Sequence, residues 1–282
     1  MKAGDAPRRP GFPLRMPPAS SNPVEGKSNA IKSVAARTYK QGNSALKHPL
    51  KVAQKPVSNV ATVMATGLGL DSQAVRDHMV QKLAAQGVQD SRVLAAMGQV
   101  ERHRFVDSAL VNQAYEDTSL PIGLGQTISK PNVVARMLEL LVRGHDGKLG
   151  RVLEIGTGCG YQAAVLAKLA AEVYSIERLR GLHDKARDNL RPMRVGNLHL
   201  LFGDGMAGYA RGAPYAAIIA AAGGEALPQA WMDQLAVGGR LVAPLQGAGG
   251  AQALVVVDKT ARGITQTLLE AVHFVPLKSG TS

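Results

Sequence analysis

Three glycines at every second position end an apolar run in the middle of the chain. Residues 152–162 read Val-Leu-Glu-Ile-Gly-Thr-Gly-Cys-Gly-Tyr-Gln, which places Gly156, Gly158 and Gly160 in one turn. Because glycine has no Cβ, the backbone of such a turn can approach a ligand closely. An apolar strand, a glycine turn and a following helix together indicate a nucleotide-binding crevice.

Three acidic residues stand at the ends of apolar runs in the same region. Glu154 precedes the first glycine, Glu177 ends the run Glu172-Val-Tyr-Ser-Ile, and Asp204 lies between Gly203 and Gly205. An acid at the end of the second strand of such a unit can accept hydrogen bonds from ribose hydroxyls. Asp204 is a candidate acceptor for an adenine amino group.

The spacing favours S-adenosylmethionine over a dinucleotide. A Gly-x-Gly-x-x-Gly fingerprint read from Gly156 requires a glycine at position 161, where the chain has Tyr161. An acid beside the turn also disfavours a pyrophosphate, whose negative charge prefers bare amides and a helix N-terminus. The amino group and the sulfonium of S-adenosylmethionine suit such a turn. We therefore predict that this protein binds S-adenosylmethionine and transfers a methyl group.

Several methyl acceptors lack the residues that their chemistry needs. Amine-methylating enzymes on this scaffold commonly carry an Asn/Asp-Pro-Pro-aromatic loop after the fourth strand, where this chain reads Ala220-Ala-Ala-Gly-Gly-Glu. Methylation of a pyrimidine carbon needs a thiolate, and the single cysteine, Cys159, lies inside the glycine turn. The seven histidines show no ligand spacing, so no metal site is expected.

A serine stands at the start of a predicted helix. Residues 125–131 read Gly-Gln-Thr-Ile-Ser-Lys-Pro, with Ser129 at the predicted N-cap and Pro131 in the first turn. A helix start with a hydroxyl group and exposed amides is a site for a carboxylate. The alternative is that Ser129 only caps its own helix.

Strands and helices alternate from Arg151 onward. Strands are predicted over 151–155, 172–176, 198–202, 215–221, 240–244, 252–258 and 268–274, and helices near 160–170, 179–190 and 226–235. Several strands are apolar throughout, which is typical of a sheet covered on both faces. We expect an α/β fold with a doubly wound, mostly parallel seven-stranded sheet. Helices from Asp71 to Gly87, from Asp90 or Ser91, and from Asn132 to Gly144 precede it, and 105–130 is expected to be an ordered loop.

The positive charge of the chain belongs to its first 70 residues. The chain has 282 residues and a formal net charge of +12; residues 1–70 hold 11 Lys and Arg against two acids, which is +9. This segment also holds 8 of the 15 prolines. We expect a disordered basic tail over 1–70, either a solvated linker or an over-extended start, with weak contact to anionic surfaces. A methyltransferase domain follows over 71–282, divided into N-terminal helices with a substrate loop (71–145) and a Rossmann-like cofactor-binding core (146–282).

Features of the tail and the cysteine content favour the cytoplasm. The tail does not fit a secretory signal, and residues 60–70 are too short an apolar run to span a membrane. A single cysteine excludes an internal disulfide and suits a reducing compartment. We expect a cytoplasmic monomer without membrane contact.

The motifs taken in order resemble the bacterial protein-L-isoaspartate O-methyltransferases. The matching segments are Pro121-Ile-Gly, Gly125-Gln-Thr-Ile-Ser-Lys-Pro, the glycine turn with Ala-Ala-Val-Leu after it, Tyr174-Ser-Ile-Glu, Gly203-Asp-Gly, Gly238-Gly-Arg-Leu-Val and Phe274-Val-Pro-Leu. The resemblance covers roughly residues 72–280. It implies methyl transfer from S-adenosylmethionine to the free α-carboxylate of L-isoaspartyl residues in damaged proteins, which starts repair through a succinimide.

The same resemblance assigns residues to the site. Ser129 corresponds to the active-site serine, with Thr127 and Ile128 beside it in the substrate loop. The cofactor would be held by Glu154, Ile155, Gly156, Thr157, Gly158, Gly160, Glu177, Asp204 and Gly205. The chain departs from the family at Ala216, where many members have aspartate. Because that position starts a strand, away from the crevice, we expect only a local effect on stability.

Two other functions stay open from the sequence alone. One is a methyltransferase of the same fold that acts on RNA, with the basic tail supplying affinity. The other is a non-catalytic nucleic-acid-binding protein. The nearly neutral remainder of the chain and its low aromatic content, 4%, argue against the second.

Overall fold

Three helices and a short hairpin come first in the part of the chain that the computed structural model describes, residues 73–247 and 249–282. The helices are α1 (Gln73–Ala85), α2 (Ser91–Gln99) and α3 (Pro131–Val142). As expected, Asp90 caps α2, because its side chain accepts hydrogen bonds from the backbone of Arg92 and Val93. The predicted tail, 1–70, lies outside the described residues.

A hairpin occupies part of the segment that the sequence suggested to be irregular. Strands β1 (Leu120–Gly123) and β2 (Gln126–Ile128) pair in antiparallel fashion. The two residues between them, Leu124 and Gly125, have φ angles of 53° and 69°. Positive φ at both central residues matches the twist of the flanking strands, so this two-residue turn closes a hairpin. Two 3-10 turns, Arg102–Phe105 and Ser108–Gln113, precede it.

Seven further strands and three helices form the rest of the fold. The strands are β3 (Leu149–Ile155), β4 (Ala170–Glu177), β5 (Leu198–Phe202), β6 (Tyr215–Ala220), β7 (Leu235–Gln246), β8 (Gln252–Thr260) and β9 (Gly263–Val272). The helices are α4 (Tyr161–Leu169), α5 (Arg180–Leu190) and α6 (Gln229–Gln234). Each predicted strand and helix is present, with ends shifted by a few residues.

The seven strands make one sheet in the order β5-β4-β3-β6-β7-β8-β9. The pairs from β5 to β7 are parallel, and β8 and β9 are each antiparallel to their preceding neighbour. The chain moves outward from β3 to β5 and then returns to the other side of β3 with β6. Ligands bind at such a reversal point, outside the carboxyl ends of the strands. The predicted α/β class and mostly parallel seven-stranded sheet are confirmed.

Helices cover both faces of the sheet and bury its apolar side chains. One cluster joins α1 to α5 with one face of the sheet and contains Met97, Leu138 and Val165. The other packs Trp231 of α6 against Leu153 and its neighbours on the opposite face. Burial of each such side chain stabilises the fold by about 1.5–3 kcal/mol. This two-sided cover explains the strands that are apolar throughout.

Candidate active site

A cavity of about 610 Å³ opens at the carboxyl ends of β3 and β4, at the reversal point of the sheet. Its walls come from the hairpin and the residues after it, the glycine turn with the start of α4, the end of β4 with the start of α5, the residues that follow β5 and β6, and the C-terminal segment. The lining includes Ile122, Leu124, Thr127, Ile128, Ser129, Ile155, Gly156, Thr157, Gly158, Tyr161, Glu177, Leu179, Leu182, Gly205, Ala221, Val275, Pro276 and Leu277.

The glycine turn supplies bare backbone to the cavity. Gly156 and Gly158 line it with φ angles of 89° and 56°, which side chains rarely tolerate. A Cβ on Gly158 would lie 3.2 Å from Cδ1 of Ile122, a residue of the hairpin that is distant in sequence but close in space. Gly160 has a different role, since its φ is 93° and a Cβ there would lie 2.8 Å from Cδ1 of Leu190 in α5. It permits close packing and does not line the cavity.

Glu177 is the one of the three predicted carboxylates that lines the cavity. Its Oε2 accepts a hydrogen bond of 2.9 Å from the amide of Gly158, and its Oε1 accepts one of 2.9 Å from the amide of Leu179. The side chain is 5% exposed. These two amides fix the carboxylate between the glycine turn and the start of α5, at the end of the second strand of the unit.

Glu154 lies behind the cavity wall. It is fully buried, and Ser175 donates a hydrogen bond to its Oε2, while Thr157 Oγ1 and Ser175 Oγ are 2.6 Å apart. Neighbouring residues of a strand point to opposite faces, and Ile155 takes the cavity side. Burial raises the pKa of the Glu154 carboxyl to about 8, against the hydrogen bond from Ser175, which lowers it. Contact between Glu154 and the cofactor stays a prediction.

Asp204 faces the C-terminal segment. Its Oδ1 accepts a hydrogen bond of 2.8 Å from the amide of Met206, and its Oδ2 accepts one of 2.7 Å from the amide of Gly280. Gly205 lines the cavity, and a Cβ on it would approach Cγ2 of Ile155 to 2.5 Å. The predicted adenine contact of Asp204 stays a prediction, because in this structure the carboxylate holds the backbone of Gly280.

The expectation that Ser129 caps α3 is wrong. The N-cap residue is Lys130, whose side chain makes no capping hydrogen bond, and Pro131 has no amide hydrogen to satisfy. The amide of Asn132 instead donates to Oδ1 of Asp117 at 2.9 Å, so an acid from the preceding loop stabilises this helix start. The Ser129 hydroxyl is therefore not required for capping.

The substrate loop connects two cavities. Thr127 and Ser129 line both the main cavity and an adjoining one of about 380 Å³, which also contacts Lys130, His273 and Phe274. Ile128 is buried and lines the main cavity alone. The structure thus brings all three predicted loop residues to the place where a cofactor cavity meets a second groove.

Several lining residues were not predicted. Tyr161 and Leu182 come from α4 and α5, and residues 275–277 come from the end of the described chain. Backbone hydrogen bonds from Gly223 to Val275 (2.9 Å) and from Leu277 to Gly223 (2.8 Å) hold that segment against the end of β6. The sequence did contain a signal for this segment, because Phe274-Val-Pro-Leu resembles the family, but the resemblance gave these residues no role in the site.

The residues present fit a methyl-donor nucleoside. The bare turn at Gly156 and Gly158 leaves space that a Cβ would fill, and Glu177 stands at the strand end where ribose hydroxyls are bound on such folds. Apolar side chains of Leu179, Leu182 and the hairpin flank the space that remains. Together the sheet and this cavity define a class I S-adenosylmethionine-dependent methyltransferase.

Comparison with known proteins identifies the family. The sequence model of the family described as protein-L-isoaspartate(D-aspartate) O-methyltransferase matches residues 74–282. A protein-L-isoaspartate O-methyltransferase of Methylibium petroleiphilum is 55% identical over 289 residues, covering 100% of both chains, and one of Leptothrix cholodnii is 54% identical, covering 100% of this chain and 98% of its own. This chain belongs to that family. The two relatives also align with the first 73 residues.

Solved structures agree with this assignment. A protein-L-isoaspartate O-methyltransferase structure superposes with a TM-score of 0.66 at 27% identity, covering 72% of this chain and 66% of its own. One from Plasmodium falciparum, in complex with S-adenosyl-L-homocysteine, gives a TM-score of 0.64 at 25% identity and covers 72% and 98%. The predicted family, enzyme class and methyl donor are confirmed, and the two alternatives based on nucleic acid are set aside.

The described residues contain neither a membrane-spanning helix nor a cluster of metal-binding side chains. No helix in 73–247 or 249–282 is both long and apolar enough to cross a bilayer. In the same residues, no group of three or more His, Cys, Asp or Glu side chains is arranged to hold a metal ion.

Proposed function

We propose that this protein transfers the methyl group of S-adenosylmethionine to the free α-carboxylate of L-isoaspartyl residues, at the junction of its two cavities. The observation that carries the proposal is the position of Ser129. This residue lines the cavity with the glycine turn and the adjoining groove at the same time. A methyl donor in the first and a peptide in the second would meet there.

The main cavity is proposed to hold the donor. The amides and bare backbone of the glycine turn would contact the methionine part. Each carboxylate oxygen of Glu177 already accepts one amide hydrogen bond and would accept a second one from a ribose hydroxyl. Ile155, Thr157 and Gly205 would contact the nucleoside along the cavity wall. Glu154, Gly160 and Asp204 would act from behind this wall, by fixing the turn and the C-terminal segment. When bound, the donor supplies a sulfonium-activated methyl group.

The loop Thr127–Ile128–Ser129 is proposed to hold the acceptor. An α-carboxylate has a pKa of about 3.5, so it is ionised at neutral pH and needs no general base. Its oxygens are well hydrated, and the site must replace that water and align one oxygen with the methyl group. Since Asp117 already caps α3, the Ser129 hydroxyl can donate to the carboxylate. A neutral donor orients the oxygen without strongly stabilising its charge before transfer.

The adjoining groove is proposed to hold the residues beside the isoaspartate. Its walls come from the substrate loop on one side and from residues 271–275 on the other. His273 would offer this peptide a polar contact, and the adjacent Phe274 an apolar one. A groove that is shared with the catalytic loop would keep the peptide extended and its carboxylate pointed at the main cavity.

We also propose that different parts of the chain serve the acceptor and the donor. Residues 71–145 would provide the acceptor loop and its support, and 146–282 the donor site, while the basic segment 1–70 would make only weak contacts with anionic surfaces. A cytoplasmic monomer fits a chain whose single thiol, Cys159, is buried.

Transfer of labelled methyl from S-adenosylmethionine to matched peptides tests the proposal. A peptide with one L-isoaspartyl residue should be methylated, and the same peptide with L-aspartate should not. The methyl ester should decompose through a succinimide and return part of the peptide as the aspartyl form. Equal labelling of both peptides, or labelling of neither by folded protein, would overturn the assignment.

A further inference from the structure

Arg102 is a fully buried cation next to the acceptor loop. It begins the 3-10 turn Arg102–Phe105 after α2, and its exposed fraction is 0%. In the described residues, no carboxylate oxygen lies within 4.0 Å of its nitrogens. Burial lowers the pKa of its guanidinium accordingly. Burying a cation without a direct ion pair is costly even with the longer-range attraction of Asp117, and an apolar side chain of similar volume would fill the same space at lower cost.

The contacts of Arg102 show what the guanidinium holds. Its Nη2 donates to the carbonyl oxygen of Ser129 at 2.7 Å, and its Nε donates to the carbonyl oxygen of Ala114 at 2.8 Å. Its carbon Cζ lies 4.7 Å from the centroid of the Tyr161 ring, within the range of a cation–π interaction. Two carbonyl oxygens and an aromatic face therefore contact the guanidinium where an ion pair would bring a carboxylate, and its buried Nη1 has no hydrogen-bond partner in the part of the chain that the structure describes.

These contacts join the two walls between which the methyl group must move. Ser129 belongs to the acceptor loop, and Tyr161 is the first residue of α4, directly after the glycine turn. Both line the main cavity. Arg102 itself does not line the cavity, so it can act on the reaction only through the residues that it fixes.

We infer that Arg102 is a positioning residue, which sets the separation between the acceptor loop and the glycine turn by binding the Ser129 carbonyl while its guanidinium contacts the Tyr161 ring. This inference rests on the proposed role of Ser129. In-line transfer is sensitive to the distance between acceptor oxygen and methyl carbon, and a displacement of about 1 Å can reduce the rate about 100-fold. Arg102 is suited to this task because its planar fork reaches two carbonyls at once from two different nitrogens, which the single nitrogen of a lysine ammonium cannot reproduce.

The test compares Arg102→Lys with a control at another buried arginine. Arg76 is 9% exposed and donates from Nε to the carbonyl of Gly98 at 3.1 Å, but it lines neither cavity. Arg76→Lys therefore measures the general effect of this substitution among the N-terminal helices. Both variants of the full chain are assayed with an isoaspartyl peptide at saturating S-adenosylmethionine, which stabilises the folded state. Calorimetry with S-adenosylhomocysteine measures cofactor binding separately.

We expect kcat of Arg102→Lys to fall about 10- to 100-fold, with affinity for S-adenosylhomocysteine retained and with the kcat of Arg76→Lys near that of the parent. Equal kcat in the two variants would overturn the inference. So would unfolding of Arg102→Lys in saturating cofactor, or a loss of cofactor affinity that matches the loss of kcat, because each shows a merely structural role.

Ser129→Ala in the same assay separates this inference from the proposed function. A slow Ser129→Ala with a fully active Arg102→Lys would refute the role of Arg102 alone. A fully active Ser129→Ala would refute the proposed role of the hydroxyl, and a slow Arg102→Lys beside it would show that the position of the loop backbone controls the rate.

Discussion

Because Asp117 and not Ser129 caps α3, we expect Ser129→Ala to lower activity without lowering the melting temperature, and Asp117→Ala to do the reverse. If Ser129 binds the acceptor carboxylate, Ser129→Ala removes a hydrogen bond to a charged group, which is worth about 1.5–3 kcal/mol. That loss corresponds to a decrease in kcat/KM for the peptide of about 10- to 150-fold. The melting temperature should stay unchanged, because the amide of Asn132 keeps its partner at Asp117.

Asp117→Ala should show the reverse pattern. Loss of a capping side chain costs about 1 kcal/mol, and in a domain of this size that lowers the melting temperature by about 2–4 °C. Asp117→Asn is the matched control, since its side-chain oxygen can still accept the hydrogen bond from Asn132. It should melt close to the parent.

Two measurements on the same preparations decide the matter. Methylation of an isoaspartyl peptide gives kcat/KM, and thermal unfolding followed by circular dichroism gives the melting temperature. The reasoning is refuted if Ser129→Ala lowers the melting temperature as much as Asp117→Ala does, because Ser129 would then be the cap. An unchanged kcat/KM of Ser129→Ala would also contradict it.

Three further predictions concern the glycine turn, the buried acid and the tail. Gly160→Ala should destabilise the fold by about 1–3 kcal/mol, because its Cβ meets Leu190 at a φ of 93°, whereas Gly196→Ala, with open space around it, should melt like the parent. Burial raises the pKa of Glu154 on folding from 4.5 to about 8, so the parent loses stability as the pH rises across that window. Glu154→Gln should not show this loss. Thermal melts of both proteins at the two ends of the window test this, and a parent that melts at the same temperature at both ends would contradict the reasoning. Deletion of residues 1–70 should leave peptide methylation intact, since every residue of 73–247 and 249–282 that lines the main cavity is numbered 122 or higher; a folded but inactive truncation would contradict this.

The sequence predicted the main sheet well because its signals are local. Apolar runs mark the buried strands, and the three glycines mark the turn after β3. The hairpin before α3 was missed, since strands of four and three residues are too short for alternation to be visible. Its turn is Leu124-Gly125, which lacks the Asn-Gly or Asp-Gly pair that usually announces such a turn.

The site was predicted less completely because its contacts are not local. Ser129 has the residue type and position of an N-cap, but the cap comes from Asp117, fifteen residues from Asn132. Glu154 stands one residue from the end of its strand and so turns away from the cavity, whereas Ile155 turns toward it. Asp204 is engaged by Gly280, 76 residues later, and sequence spacing gives no sign of such a partner.

The bonding of Asp204 also disfavours, at this one position, the lesion that its family acts on. Among aspartates, one followed by glycine, as in Asp204-Gly205 and Asp146-Gly147, is the most open to succinimide formation, in which the nitrogen of the glycine attacks the side-chain carboxyl carbon. That ring closure requires the carboxyl group to rotate onto its own main chain. Here both carboxyl oxygens are tethered by amide hydrogens, from Met206 and Gly280, and Gly205 is wedged against Ile155. One of the two Asp-Gly pairs among the described residues is thus held in a conformation that resists ageing, whereas the other, Asp146-Gly147, lies exposed.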